Sequence, residues 1–73
     1  MTVAGMTVVV NGEPARVAAG TTVSALLAGL GHDPSGAGIA VALNGEVVPR
    51  GSWPTTRLGE HDHIEVLGAA QGG

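Results

Sequence analysis

The chain begins with the residue pattern of a β-hairpin. Residues 7–10 form a β-branched run, the Asn11-Gly12 pair that follows is a strong signal for a tight turn, and residues 15–18 supply a returning strand. Three successive valines in the first strand are typical of a central strand that is buried on both faces of a sheet. Pro14 has no N–H to donate to a neighbour, which places the second strand at a sheet edge.

A single helix is predicted after the hairpin. Thr21 or Thr22 can cap its N-terminus, and Gly31 followed by Pro34 favours an end near Leu30. Its apolar residues recur at the spacing i, i+3, i+4 and i+7: Val23, Leu26, Leu27 and Leu30. This spacing gives the helix one apolar stripe, which we interpret as packing against the core.

The second half of the chain predicts three further strands. Residues 39–43 form an apolar strand that turns at Asn44-Gly45, a second hairpin signal, into a short strand at 46–48. The last strand covers residues 63–67. Between these strands, three residues are expected to break regular structure: Pro49, Gly51 and Pro54.

The order strand, strand, helix, strand, strand, strand predicts an α+β fold with a mixed sheet of about five strands packed on one main helix. The economical arrangement places the first strand at the centre with the last strand parallel beside it. This is the β-grasp architecture. We expect it to occupy residues 6–67, preceded by an extension at 1–5 and followed by a mobile tail of small residues at 68–73.

Length and composition support one small domain. The chain has 73 residues, enough for a single core, and 44% of them are hydrophobic, which is ample for a globular domain. It has no cysteine, so disulfides, thiolate nucleophiles and cysteine zinc sites are excluded. The sequence also lacks a long apolar run and the pattern of a signal peptide. We therefore expect no membrane span and a cytoplasmic location.

The charge pattern narrows the function further. The formal net charge is −3, and the three cationic side chains are Arg16, Arg50 and Arg57. An acidic surface repels phosphate backbones, so nucleic-acid binding is not expected. Because the chain contains no lysine, it has no side-chain amine for Schiff-base catalysis or for accepting an isopeptide bond.

Side chains that could carry chemistry are few. His61 and His63 would share one face if both lay in a strand, but no motif places a third ligand, so we interpret them as solvated and expect no metal site. Glu60 and Asp62 are interpreted as polar turn residues. Trp53, the one aromatic residue, is interpreted as core packing, with a partner contact as the alternative. No catalytic residue is therefore assigned.

The C-terminal sequence is the unusual feature of the chain. Gly72-Gly73 follow the last predicted strand after a few small residues, and glycine without a Cβ can enter a channel too narrow for other residues. A segment of this kind is suited to insertion into the active site of another protein. Taken alone, a final Gly-Gly also fits a frayed end without function.

Several segments resemble the ThiS family, the bacterial sulfur carriers of thiamine biosynthesis. The resemblance covers Met6 to Gly73, and its most specific parts are Leu43-Asn-Gly-Glu-Val-Val-Pro-Arg50 with Trp53 three residues on, and Gly72-Gly73. Two further segments match as well: Asn11-Gly-Glu13 and Ala19-Gly-Thr-Thr-Val-Ser-Ala-Leu-Leu27.

The resemblance implies a ubiquitin-like β-grasp protein that is a substrate and carrier, not a catalyst, and that binds no cofactor itself. An adenylating enzyme of the ThiF type would use ATP to convert the Gly73 carboxylate to an acyl-adenylate. A sulfur donor such as a cysteine desulfurase would supply sulfur for a thiocarboxylate, and thiazole synthase (ThiG) would take that sulfur. The tail residues recognised by these partners would be Gly72, Gln71 and Ala70.

The sequence departs from the family pattern in two places. The family commonly has Gly-Asp before its last strand, where this chain has His61-Asp62, so that turn is expected to be altered. Residues 1–5 precede the usual start of the family. Either Met6 is the true start or these five residues are disordered.

Other functions share some of these features. The small subunit of molybdopterin synthase has the same fold, Gly-Gly end and thiocarboxylate, but Pro49-Arg50 and Trp53 favour the thiamine branch. A ubiquitin-like protein modifier and an interaction module with an incidental glycine tail are the remaining alternatives. As the partner surface, we expect the sheet face that the helix does not cover, together with the tail.

Overall fold

The computed structural model describes residues 5–32 and 37–68. Its elements follow the predicted order, with one additional 3-10 helix. The strands are β1 (Gly5–Val10), β2 (Glu13–Ala18), β3 (Ile39–Leu43), β4 (Glu46–Val47) and β5 (His63–Gly68), and the helices are α1 (Val23–Gly29) and the 3-10 helix η1 (Arg50–Thr55). Among the described residues, no helix is long and apolar enough to cross a membrane.

The strands form one mixed five-stranded sheet in the order β2-β1-β5-β3-β4. β1 pairs antiparallel with β2 and parallel with β5, which confirms the predicted hairpin and the predicted parallel neighbour. The centre of the sheet is β5, however, and not β1 as predicted. The reason is that β3 pairs antiparallel with the other edge of β5 and adds β4 beyond it. With α1 on one face, this is the predicted α+β, β-grasp arrangement.

The burial of β1 also differs from the prediction. Val8 is completely buried, whereas Val9 and Val10 are only half-buried. Successive side chains of a strand point to opposite faces, and α1 covers only one face of this sheet. The three valines therefore indicate an interior strand, but not one buried on both faces.

Both hairpin turns consist of an Asn-Gly pair in the left-handed region of the backbone. The φ angle is 50° at Asn11 and 86° at Gly12, and it is 51° at Asn44 and 88° at Gly45. Two successive positive φ angles are what a type I′ turn requires, and its twist matches that of the paired strands. Both predicted turns are confirmed at the residues that signal them.

Helix α1 is short and begins and ends where its sequence signals lie. Thr22 Oγ1 accepts a hydrogen bond of 3.1 Å from the Ala25 N–H. Of the two predicted candidates, Thr22 is therefore the N-cap. Leu30 forms the C-cap, and Gly31 follows with a φ of 86°. Leu30 is 47% exposed, so the buried stripe has three members: Val23, Leu26 and Leu27.

The segment predicted to be irregular forms the helix η1 instead. Pro49 is its N-cap, and Pro54 lies inside it. A short 3-10 helix of six residues has few internal hydrogen bonds, so it accommodates a residue without an N–H. Trp53 is 4% exposed and donates its Nε1–H to the Val48 carbonyl at 2.8 Å. Its predicted core position is confirmed, and its one polar group is satisfied.

The core joins the sheet to both helices. Its completely or almost completely buried side chains come from β1, α1, β3 and β5: Val8, Val23, Val41 and Ile64. The strands extend one residue past the predicted limits of the domain, because β1 begins at Gly5 and β5 continues to Gly68. The other residues of the predicted extension and tail lie outside the described residues.

Candidate functional site

Strand β5 leads the chain from the core to the C-terminal segment. It begins at the exposed His63, passes through the buried Ile64 and reaches the exposed Gly68. The predicted site residues follow soon after it: Ala70, Gln71, Gly72 and Gly73. They lie outside the residues that the structure describes, so their roles stay predictions.

The two edges of β5 are held differently. β3 pairs with β5 as far as Gly68, whereas β1 pairs with it only at His63 and Ile64. Beyond this point the chain of β1 turns away into the first hairpin turn. The second half of β5 therefore has a strand on one edge and a turn on the other.

Side chains from both hairpin turns bind the backbone of β5. The Val66 N–H donates to Asn11 Oδ1 at 2.8 Å, and Asn11 Nδ2 donates to the Val66 carbonyl at 3.3 Å. On the β3 edge, the His63 N–H donates to Asn44 Oδ1 at 2.9 Å. The Asn-Gly pattern predicts the turns but not these contacts, because the contacts depend on which strand becomes the neighbour.

A turn of polar residues precedes β5. Asp62 Oδ2 accepts from the Gly59 N–H at 2.7 Å, and Asp62 Oδ1 accepts from Asn44 Nδ2 at 3.1 Å. Glu60 Oε2 accepts from the Thr7 N–H at 3.0 Å. Both carboxylates bind N–H groups of neighbouring segments, which confirms their interpretation as turn residues.

The two histidines of this region lie in different elements. His61 lies in the turn with a φ of 66°, and His63 lies in β5. The condition for a shared strand face, that both lie in one strand, is not met. Within residues 5–32 and 37–68, no three His, Asp or Glu side chains are grouped closely enough to hold a metal ion.

The sheet face opposite α1 carries two exposed apolar side chains. Val47 is 76% exposed and Leu67 is 61% exposed. Their strand partners are Ala42 and Ala40, which flank the buried Val41 and point away from the core. Directly paired residues share a face, so all four side chains lie on this face, together with the exposed Glu65 that pairs with Ala42. We call it the open sheet face: Ala40, Ala42, Val47 and Leu67.

Two grooves flank α1. One, of about 510 Å³, lies between α1 and η1 and includes Ser24, His32 and Trp53 in its lining. The other, of about 340 Å³, lies between β2 and α1 and includes Arg16. In the part of the chain that the structure describes, neither lining contains a carboxylate. Among residues 5–32 and 37–68, this groove therefore places no acidic side chain beside Ser24 and His32 of the kind that orients the histidine of a serine hydrolase.

Proteins of the same fold are known. The model of the ThiS family matches residues 8–73. A crystal structure of the thiamine biosynthesis protein ThiS from Geobacter metallireducens superposes with a TM-score of 0.78 at 34% sequence identity, covering 93% of this chain and 100% of that chain. A solution NMR structure of a thiamine biosynthesis protein from the same organism gives a TM-score of 0.76 at 34% identity, covering 93% and 88%.

Two curated relatives are longer proteins named thiazole synthase. The one from Magnetococcus marinus is 44% identical over 68 residues, and the one from Paramagnetospirillum magneticum is 37% identical over 68 residues. Each alignment covers 93% of this chain but 20% of the relative, so the chain spans about a fifth of the length of these relatives. The family match, in contrast, runs through both hairpins, α1 and β5. The chain belongs to the ThiS family.

Proposed function

We propose that this chain is a sulfur carrier in the biosynthesis of the thiazole of thiamine, a protein co-substrate that partner enzymes modify and that catalyses no reaction itself. In this proposal Gly73 carries the sulfur as a C-terminal thiocarboxylate. One observation carries the proposal: the ThiS family match extends over the β-grasp domain and on through Gly72 and Gly73. The likeness to a solved ThiS structure supports the thiamine branch over the alternatives.

The first chemical step activates the Gly73 carboxylate. An α-carboxyl is ionised at neutral pH, and its negative charge repels nucleophiles. An adenylating enzyme of the ThiF type would let a carboxylate oxygen attack the α-phosphorus of ATP, which breaks the bond to pyrophosphate. The acyl-adenylate that forms has lost the carboxylate charge and has AMP as its leaving group.

The second step exchanges AMP for sulfur. A sulfur nucleophile attacks the carbonyl carbon, and the carbon–oxygen bond to AMP breaks. Sulfide gives the thiocarboxylate directly, whereas a persulfide from a cysteine desulfurase gives an acyl disulfide that a thiol then cleaves. The product presents a soft, nucleophilic sulfur to the next enzyme.

The fold separates this chemistry from the core. The buried core side chains lie between Met6 and Ile64, and β5 continues past them to Gly68. If fully extended, residues 69–73 would span at most about 17 Å. This reach allows Gly73 to enter a partner's active site while the folded domain stays at its surface.

Thiazole synthase is the acceptor in this proposal. Two proteins with that name contain a stretch similar to this chain within a much longer sequence. A carrier-like stretch joined to a thiazole synthase places the two functions side by side, which supports thiazole synthase as the partner of this chain.

The open sheet face is the proposed docking surface for the adenylating enzyme. Leu67 is part of this face and also precedes the C-terminal segment on the same strand. A partner that binds the open sheet face is thus next to the segment it must take. Exposed apolar side chains grouped in this way are typical of binding surfaces.

Pyrophosphate exchange tests the activation step. The chain is incubated with a ThiF-type enzyme, ATP and labelled pyrophosphate, so that reversible acyl-adenylate formation carries label into ATP. We expect exchange with the full chain and background exchange after deletion of Gly73, because the shortened carboxylate stops about 3.5 Å before the reaction centre.

Two controls define this test. The Gly73 deletion is expected to unfold at the same temperature as the full chain, because the core side chains lie between Met6 and Ile64. The variant Gly73→Ala keeps a carboxylate at the same distance but adds a Cβ, and we expect it to react more slowly. Equal exchange by the full chain and the deletion variant would contradict the proposal.

A further inference from the structure

The asparagines of the two Asn-Gly turns bind β5 at different positions and on opposite edges. Asn11 lies on the β1 edge and binds Val66, the third residue from the end of the strand. Asn44 lies on the β3 edge and binds His63, the first residue of the strand. The two asparagines have almost the same φ, 50° and 51°, and each is followed by a glycine.

Asn11 continues the β1 edge after β1 itself has ended. Its backbone N–H donates to the Ile64 carbonyl at 2.9 Å, and its side-chain amide then both accepts from and donates to Val66. A side-chain amide has one carbonyl and one NH₂ group, as a backbone amide has a carbonyl and an N–H. The Asn11 side chain thus makes the two hydrogen bonds that the backbone of one more residue in a neighbouring strand would make.

Val66 is the last point at which this edge of β5 is held in the described part of the chain. Backbone N–H and C=O groups of a strand alternate between its edges, so the next pair on the β1 edge belongs to Gly68. The direction of the strand at Gly68 therefore depends on β3 on one side and on Asn11 on the other.

We propose that Asn11 is a positioning residue: by holding Val66, it sets the direction in which β5 leaves the fold and so aims the C-terminal segment at the partner's active site. This inference rests on the proposed carrier function. Asn44 makes comparable contacts at the start of β5, far from the C-terminal segment, and so contributes to stability without this effect.

Substitution by glycine tests the two asparagines as a matched pair. Asn11→Gly and Asn44→Gly each remove the side-chain amide, and glycine keeps the positive φ without strain. The first measurement is NMR of the free chain. In Asn11→Gly we expect the Val66 amide to exchange with solvent about fivefold faster and the order parameter of Gly68 to fall, whereas Asn44→Gly leaves both unchanged.

The second measurement is the pyrophosphate exchange assay, run at varied concentrations of the carrier chain. For Asn11→Gly we expect kcat to fall about tenfold with KM unchanged. The domain docks normally, but its Gly73 carboxylate is less often aligned with the α-phosphorus of ATP. For Asn44→Gly we expect the kcat and KM of the wild-type chain, even if its unfolding temperature falls by as much as that of Asn11→Gly. Asn11→Asp keeps the acceptor for the Val66 N–H but turns an oxygen towards the Val66 carbonyl, so its kcat should fall as well.

The outcomes separate this inference from the proposed function. If the wild-type chain supports no pyrophosphate exchange, the carrier function is contradicted. In that case the NMR comparison still decides whether Asn11 holds the end of β5. If the wild-type chain supports exchange and Asn11→Gly has the same kcat as Asn44→Gly, the positioning role is overturned. An unchanged order parameter at Gly68 in Asn11→Gly overturns it independently of any enzyme.

Discussion

At the scale of single residues, His61 shows a backbone conformation that favours glycine. Its φ is 66°, and its N–H donates to the Thr7 carbonyl at 2.7 Å, so the turn before β5 is tied to β1 at this residue. A side chain with a Cβ is strained in this region of φ, whereas glycine is not. His61 has a Cβ at this φ, and the chain therefore carries this strain.

Replacement of His61 by glycine is expected to stabilise the fold. His61→Gly relieves about 1–2 kcal/mol of left-handed strain and costs about 0.5–1 kcal/mol in backbone entropy, a net gain of up to about 1.5 kcal/mol. The lost contact between His61 Nε2 and Glu60 Oε2, 3.4 Å long, matters little because the two side chains are 78% and 50% exposed. Urea unfolding of the two proteins measures the difference in the free energy of unfolding.

His63→Gly is the control for this substitution. His63 is exposed and lies in the extended strand β5, so glycine relieves no strain there and lowers the free energy of unfolding by about 0.5–1 kcal/mol. The account of the turn is wrong if His61→Gly is less stable than the wild-type chain.

Residue roles that depend only on near neighbours in the chain could be predicted. The helix cap, predicted at Thr21 or Thr22 and found at Thr22, is of this kind, and so are the left-handed Asn-Gly turns. The contact between Asn11 and Val66 could not be predicted, because it requires knowing that β5 lies beside β1.

At the scale of elements, periodicity located the five strands and α1 within a few residues. Periodicity did not predict two features. The place of β5 at the sheet centre depends on pairing between distant segments, which a local pattern does not contain. The pattern did not predict η1, because Pro54 breaks an α-helix but fits a short 3-10 helix.

The open sheet face makes a prediction about partner binding. Leu67→Gln and Val47→Gln each replace an exposed apolar side chain, so they should leave the unfolding temperature nearly unchanged. If the adenylating enzyme docks on this face, each substitution should raise the KM of the carrier chain about tenfold in the pyrophosphate exchange assay, the effect of losing a contact worth about 1.4 kcal/mol at the centre of an interface.

Leu30→Gln is the matched control for the open sheet face. Leu30 is also a partly exposed leucine, but it caps α1 and borders the groove between α1 and β2, away from the open sheet face. We expect its KM to equal that of the wild-type chain. An equal rise in KM for Leu30→Gln and Leu67→Gln would show that the docking surface is placed wrongly.

At the scale of the whole molecule, fold and family could be predicted, and the family match and the solved structures confirm both. The site was predicted less directly. Glycine chemistry alone fits a frayed end as well as a reactive one, so the role of Gly73 came from the resemblance and not from the residues themselves. The structure adds how β5, held by β3 and Asn11, leads towards that residue.

Intact-mass spectrometry tests the central claim, sulfur carriage at Gly73, most directly. The chain is incubated with ATP, a ThiF-type enzyme, cysteine and a cysteine desulfurase, and a known ThiS protein serves as the positive control. We predict a mass gain equal to the replacement of one oxygen by sulfur, assigned to Gly73 by fragmentation and absent when Gly73 is deleted. An unchanged mass, in a mixture that converts the control protein, would contradict the claim.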